Sequence, residues 1–174
     1  MRRLLLMRHA KSSWDDPSLS DHDRPLAPRG LRDAPRMGRW LARNGYVPER
    51  ILCSTARRAL QTCDAVRAAL PGAPEPVPLP QLYEFGRIEP LLDAIARHGG
   101  GARSLLAIGH NEALHELALH LAASGSGDDM EELRRKFPTA AVAVLELDGE
   151  DWRDALARRG RLVRVMRPKR LGDG

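Results

Sequence analysis

The sequence predicts an α/β fold: a three-layer α-β-α sandwich with a mostly parallel central sheet and antiparallel pairing at an edge. Three observations lead there. Short apolar runs of strand length alternate with helical patterns along the chain. The first run, LLLM at 4–7, is apolar without alternation, as expected of a strand covered on both faces. At 174 residues the chain is long enough to bury one sizeable core, and a single domain is expected.

Further strand-like runs fall at 50–53, 104–109, 141–147 and 162–166, with a weaker one at 77–79. A helical pattern over 29–44 places Leu31, Ala34, Met37, Leu41 and Ala42 at repeating positions and stops at Gly45. The next, 56–70, ends before Pro71-Gly72, and the pattern over 90–98 ends at Gly99-Gly100-Gly101. A fourth helix is expected over 111–123, ending near Gly125, and a short acidic one over 128–136. No full helix is expected between the last two strands, which leaves them to pair antiparallel. The proline-rich 72–80 reads as a surface connection, and the aperiodic 15–28, DDPSLSDHDRPLAP, as a functional loop. The basic end, RPKRLGDG at 167–174, is expected to fray.

Composition narrows the function. The formal charge of +5 favours anionic partners, but aromatic residues make up only 4% and the basic residues are scattered, which argues against nucleic acid. Cys53 and Cys63 form neither a disulfide framework nor a C-x-x-C site, so a reducing cytoplasm is the expected compartment. The basic start followed by LLLM breaks at Arg8, too soon for a signal sequence, and no run approaches the ~20 apolar residues that span a membrane. No membrane partner is expected.

In open α/β sheets ligands bind beyond the carboxyl ends of the strands. The first strand delivers Arg8-His9 there, the second Ser54 with Arg57 and Arg58 just beyond, and the third His110-Asn111. Neighbouring parallel strands would gather these into an anion site. A neutral imidazole attacks phosphorus, arginine forks match phosphoryl oxygens, and a second histidine adds a hydrogen bond or charge as the transition state spreads charge over them. The helices beginning after Ser54 and His110 would also aim amino-terminal N–H groups at the anion. Rival motifs fail on count. A cysteine phosphatase built on Cys53 would need arginine at the position of Ala59, and HELALH at 115–120 has its histidines one residue too far apart for a zinc helix. There is no P-loop and no G-x-G-x-x-G.

LMRHAKSS at 6–13 resembles the Arg-His signature of the histidine phosphatase superfamily. STARRALQT at 54–62 is similar to its S-x-x-x-R-A-x-x-T segment, IGHNEAL at 108–114 to its second histidine motif, and SDHDRPLAPRG at 20–30 to the SixA-type phosphohistidine phosphatases. The resemblance implies a single histidine phosphatase domain over 1–174 with a phosphoglycerate mutase-like fold. It implies a nucleophilic His9, with Arg8, Arg58 and His110 binding the phosphoryl group, and no metal or other cofactor. The family spacing selects Arg58 over Arg57. The implied partner is a phosphohistidine-bearing protein or a small phosphorylated substrate. The alternatives are a phosphatase of small phosphoesters and a catalytically silent phospho-binding module. Ala10 and Asp15 depart from the mutase-like pattern of glycine and asparagine, which weakens a sugar-phosphate reading. Glu84 in LYEFG is the nearest candidate for the general acid of that branch.

Overall fold

The computed structural model describes residues 1–172. In chain order its elements are β1 (Arg2–Arg8), α1 (Pro28–Arg43), β2 (Arg50–Ser54), α2 (Arg57–Ala68), β3 (Pro76–Leu79), α3 (Glu89–His98), β4 (Ser104–Gly109), α4 (Ala113–Leu121), β5 (Ala122–Gly125), α5 (Gly127–Arg135), β6 (Val142–Leu147), α6 (Trp152–Arg158) and β7 (Gly160–Met166). The strands form one sheet in the order β3-β2-β4-β1-β6-β7-β5. β1, β2, β3 and β4 run parallel, whereas β6 is antiparallel to both β1 and β7. The α/β sandwich and its mixed sheet are those the sequence predicts.

The uninterrupted apolar run of β1 is explained by its place in the middle of that sheet. Leu4 and Leu6 face one core with Leu91, Ile95, Leu114 and Leu117, while Leu5 and Met7 face the other with Met37, Leu41 and Val66. All four β1 side chains are fully buried. Each contributes about 1.5–3 kcal/mol by leaving water, which is why this strand makes a fixed platform for whatever follows it. α1 and α2 cover one face; α3, α4 and α6 cover the other.

Differences from the sequence reading are local. The fourth helix stops at Leu121 because Ala122–Gly125 turns out as β5, which pairs with β7 at the sheet edge. Its residues, AASG, are small and mostly exposed, so they carry no strand signal. α6 occupies the interval expected to lack a full helix. Asp151 caps it by accepting from the Asp154 amide at 2.8 Å, and Trp152, Ala155 and Leu156 pack inward at helical spacing. Leu31, placed on the apolar face of α1 by its spacing, is exposed. Within the tail expected to fray, Pro168–Arg170 makes a 3-10 turn whose Pro168 is buried and accepts from Arg36; 173 and 174 lie outside the described residues.

Gly30 in the first turn of α1 lies directly against the backbone of Lys11, and an added Cβ would run into the Lys11 carbonyl. This contact seats the segment just after His9. Gly30→Ala is expected to cost about 1–3 kcal/mol in urea unfolding, as overpacking does. Gly86→Ala, with nothing within 4 Å of the new Cβ, should stay within about 0.5 kcal/mol. Equal effects would show that the Lys11 contact is unimportant.

Candidate active site

β1 pairs with β4 so that Arg8 lies opposite Gly109, and the His9 amide continues the ladder by donating to the Gly109 carbonyl at 3.1 Å. On the other side the Ala140 amide donates to the carbonyls of both Arg8 (3.1 Å) and His9 (3.0 Å). Ala140 holds a left-handed conformation, φ 64°, to do so, at a cost of roughly 1–2 kcal/mol. The next residue is tied to α2: the Ala10 amide donates to Thr62 Oγ1 at 3.0 Å, and that hydroxyl donates to the Arg58 carbonyl at 2.7 Å. His9 and His110 thus leave adjacent strands together, their ring centroids 5.1 Å apart.

Hydrogen bonds fix the tautomers. His9 Nδ1 lies 2.7 Å from the Ala10 carbonyl, which can only accept, so the proton of the neutral ring is on Nδ1 and the lone pair is on Nε2. His110 has the opposite arrangement. Its Nδ1 faces Arg58 Nη2, a donor-only group, at 3.5 Å, so Nε2 carries the proton and donates to Ser54 Oγ at 2.7 Å. Both rings are neutral. Burial, reinforced by the charges of Arg58, Arg8 and Arg24 and opposed by the Ala10 carbonyl, lowers His9 to about 3. Burial together with His9 and Arg58 lowers His110 to about 2.

Arg8, His9, Arg24, Arg58, His110 and Asn111 are among the residues lining a cavity of about 260 Å³ at these strand exits. Arg58, 2% exposed, is held along its outer edge by Asp21, donating to the carbonyl at 2.6 Å and to the carboxylate at 2.9 Å. Arg24 donates to Ser12 Oγ and lies under Trp14, with its guanidinium 3.5 Å from a ring centroid. Arg8 Nε and Arg58 Nε are buried with no hydrogen-bond partner among the described residues. Arg2, Arg3 and Arg167 have unpartnered Nε atoms as well, but Arg8 and Arg58 are the two of this set that line the cavity, where such donors suit an anion. Tyr83 and Phe85 stand edge-on to His110, at 5.4 and 5.0 Å between centroids.

The structure therefore brings Arg8, His9, Arg58 and His110 to one cavity and leaves Arg57 exposed outside it. Glu84 is turned away: its carboxylate accepts from the amides of Phe85, Gly86 and Arg87 at 3.0–3.3 Å. The amide of Gly86 leads the interactions that hold it below the usual carboxylate range, the reverse of what a general acid needs. The start of α4 is also unlike the expectation. Its first amides, Glu112 and Ala113, both donate to the Phe85 carbonyl and are not directed at an anion. Cys53 is fully buried, and its hydrogen bond with Cys63 and its burial push the thiol up, which leaves it inert. Among the described residues no group of three His, Cys, Asp or Glu side chains converges as a metal-ligand set.

Sequence reading assigned no role to Asp21, Arg24 or Thr62, which lie within the quoted motifs, nor to Tyr83. Asp21 is central: Tyr83 Oη donates at 2.6 Å to Oδ2, the same carboxylate oxygen that accepts from Arg58. Burial would raise the Asp21 carboxyl, but the hydrogen bonds from Tyr83 and Arg58 and the Arg58 charge outweigh it and hold it at about 2. Asp21 and Arg24 lie in the aperiodic 15–28 loop and within SDHDRPLAPRG, but neither signal assigned them a role.

A neutral imidazole beside buried guanidinium groups, at the carboxyl ends of a largely parallel sheet, has the chemistry that phosphoryl transfer requires. The chain belongs to the Histidine phosphatase superfamily (branch 1), which its residues 4–90 match, and is a phosphatase. An uncharacterized Mycobacterium tuberculosis protein (strain CDC 1551 / Oshkosh) is 40% identical over 151 residues, 85% of this chain and 90% of the relative. The phosphohistidine phosphatase SixA of Escherichia coli K12 is 30% identical over 149 residues, 84% of this chain and 86% of the relative. The solved structure of the protein histidine phosphatase SixA complexed with tungstate superposes with a TM-score of 0.78 at 28% identity, over 97% of this chain and 99% of that one.

Two predictions follow from this geometry. Arg58→Ala should lower kcat/KM about 100- to 1,000-fold, the usual loss for a preorganised donor, while Arg57→Ala changes it little. The reverse order would misplace the anion site. The unfolded imidazoles protonate near ~6.5, whereas the folded ones resist protonation until about 3 and about 2. The unfolded chain thus takes up more protons as pH falls below ~6.5, so stability from these two groups is full above that pH and is lost on acidification. Tm should fall between about pH 6.5 and 4, and less steeply in the His9→Asn/His110→Asn double variant. Parallel slopes would show that the rings are charged in the folded protein.

Proposed function

We propose that this chain removes the phosphoryl group from phosphohistidine on a protein, using His9 as nucleophile and no metal. The observation that carries the reading is the pairing of a ready nucleophile with the lack of a carboxylic acid to protonate the leaving group. The Nε2 lone pair of His9 is available near the arginine donors, while Asp21, the carboxylate among the cavity-lining residues, is held ionised by Arg58 and Tyr83.

An alkoxide leaves phosphorus poorly unless an acid protonates it, whereas a phosphorylated imidazole needs only a proton on its ring nitrogen, within reach of solvent. In this reading the phosphoryl oxygens take the Nε donors of Arg8 and Arg58. The incoming dianion offsets the arginine charge that helps keep His110 neutral, so His110 Nδ1 can take a proton and donate it to a phosphoryl oxygen. His9 Nε2 attacks phosphorus, the substrate P–N bond breaks, and the departing imidazole takes its proton from solvent. Water then attacks the phosphorylated His9, releasing inorganic phosphate and restoring the ring. The similarity to a phosphohistidine phosphatase and to a structure that holds tungstate, a tetrahedral oxyanion, supports this assignment. No helix among the described residues is long and apolar enough to cross a membrane, in keeping with a proposed cytoplasmic setting.

The test compares kcat/KM for a phosphohistidine-bearing protein with that for alkyl phosphates, with and without exhaustive chelation. Phosphohistidine should be the better substrate, chelation should change nothing, and Glu84→Gln should leave the reaction intact. Faster turnover of alkyl phosphates, abolished by Glu84→Gln, would replace this reading with a small-phosphoester phosphatase. Activity that depends on added zinc or magnesium would overturn the metal-free mechanism.

A further inference from the structure

The catalytic cavity has electrically unlike neighbours. On one side it shares Thr139 with a groove of about 470 Å³ that is lined by Arg29, Arg32, Arg36, Lys136, Arg167 and Lys169, with Asp33 as the carboxylate among its lining residues. On the other it shares Phe85 and Asn111 with a cleft that carries Glu89, Glu112 and Glu116 against a single cation, Arg87. Six basic residues that are scattered in sequence are therefore gathered in space beside the active site.

The groove's cations are of two kinds. Arg36 is bound to Asp33 at 3.0 Å, and Arg167 is paired with Glu132 at 2.7 Å; both are partly buried. Arg29, Arg32, Lys136 and Lys169 are exposed and have no ion-pair partner among the described residues. They come from three separate segments: α1, where Arg29 and Arg32 are one turn apart, the stretch after α5, and the stretch after β7. A pocket built for a small anion would place unpaired donors in its floor. Here the partly buried cations each have a carboxylate beside them, although Arg167 Nε and Glu132 Oε1, 2.7 Å apart, are not aligned as a hydrogen bond; the cations without a carboxylate stand on the rim, an arrangement that suits a broad acidic surface. The lining contains no aromatic ring on which a base could stack.

We infer that this groove docks the acidic face of the phosphohistidine-bearing protein, with Arg29, Arg32, Lys136 and Lys169 meeting carboxylates that flank the phosphorylated histidine. This rests on the phosphohistidine reading of the catalytic site. The carboxylates of the opposite cleft repel the same face, so the rim orients the partner as well as attracting it.

The test uses an acidic histidine-phosphotransfer protein phosphorylated by phosphoramidate, and the same protein with the carboxylates around its histidine changed to amides. Raising salt from about 0.01 M to about 0.15 M shortens the screening length from about 30 Å to about 8 Å. It should lower kcat/KM for the acidic protein about tenfold, by weakening steering, and have little effect on free phosphohistidine. The variant R29E/R32E/K136E/K169E should show a loss of similar size on the acidic protein, none on free phosphohistidine, and no preference between the two proteins. If salt, charge reversal and amide replacement all leave the protein reaction within about twofold, the docking proposal is wrong while the phosphohistidine reading stands. If neither the protein nor free phosphohistidine is hydrolysed, the catalytic reading fails. Docking is then judged by titrating the unphosphorylated acidic protein, and equal Kd for wild type and the charge-reversed variant would sink it too. Tight binding of tripolyphosphate that the variant loses, with no effect on the protein, would make the groove a small-anion site and overturn the commitment to a protein partner.

Discussion

The His9 amide donates to the Gly109 carbonyl, one step past the last pair of the β1–β4 ladder, and that bond sets the two histidines side by side. Everything else at the site acts through this register. In a half-exposed strand a slip of one residue would turn apolar side chains to water and be rejected for that reason. β1 is buried on both faces, so Leu4 and Leu6 could exchange places with Leu5 and Met7 with a smaller penalty. Polar contacts at the strand's end remove that freedom. Ala140 holds the carbonyls of Arg8 and His9 from one side, and Thr62 holds the Ala10 amide from the other. Thr62 also anchors on the Arg58 carbonyl, so the backbones that carry His9 and Arg58 are located by a single hydroxyl.

Electrostatics then follow from geometry. Concentrating Arg8, Arg24 and Arg58 in one small cavity would be costly without compensation, and Asp21 supplies it by pairing with both Arg24 and Arg58. It binds the outer edge of Arg58 and leaves Nε unpartnered. Arg8 and Arg58 help keep both imidazoles neutral, and Arg24 adds to this at His9. In the proposed mechanism one cluster of charge positions the anion and keeps the attacking nitrogen in the neutral form it must have.

Much of this was legible in the sequence for a physical reason. A doubly buried strand leaves an unbroken apolar run, and polar residues immediately after it stand out, so Arg8, His9, Ser54 and His110 could be read as strand exits. The neighbouring order of those strands came only with the fold. Asp21 and Tyr83 were hidden because their function is a long-range pairing between two loops, for which neither periodicity nor spacing leaves a trace. Glu84 shows the opposite failure: a carboxylate at a plausible place in sequence is used up by three amides of its own turn. α6 and β5 were missed because a seven-residue helix and a strand of AASG are too short or too small-sided to produce a period.

The Ala10 carbonyl fixes the proton of His9 on Nδ1, and in the proposed mechanism this makes Nε2 the atom that receives phosphorus. The direct measurement is to mix the enzyme rapidly with radiolabelled phosphohistidine substrate, quench in alkali, hydrolyse the chain and separate the two phosphohistidine isomers. The label should be found as the Nε2 isomer, stable to alkali and labile to acid, and should be absent from His9→Ala. Label on the Nδ1 position, or undiminished labelling of His9→Ala, would contradict the account.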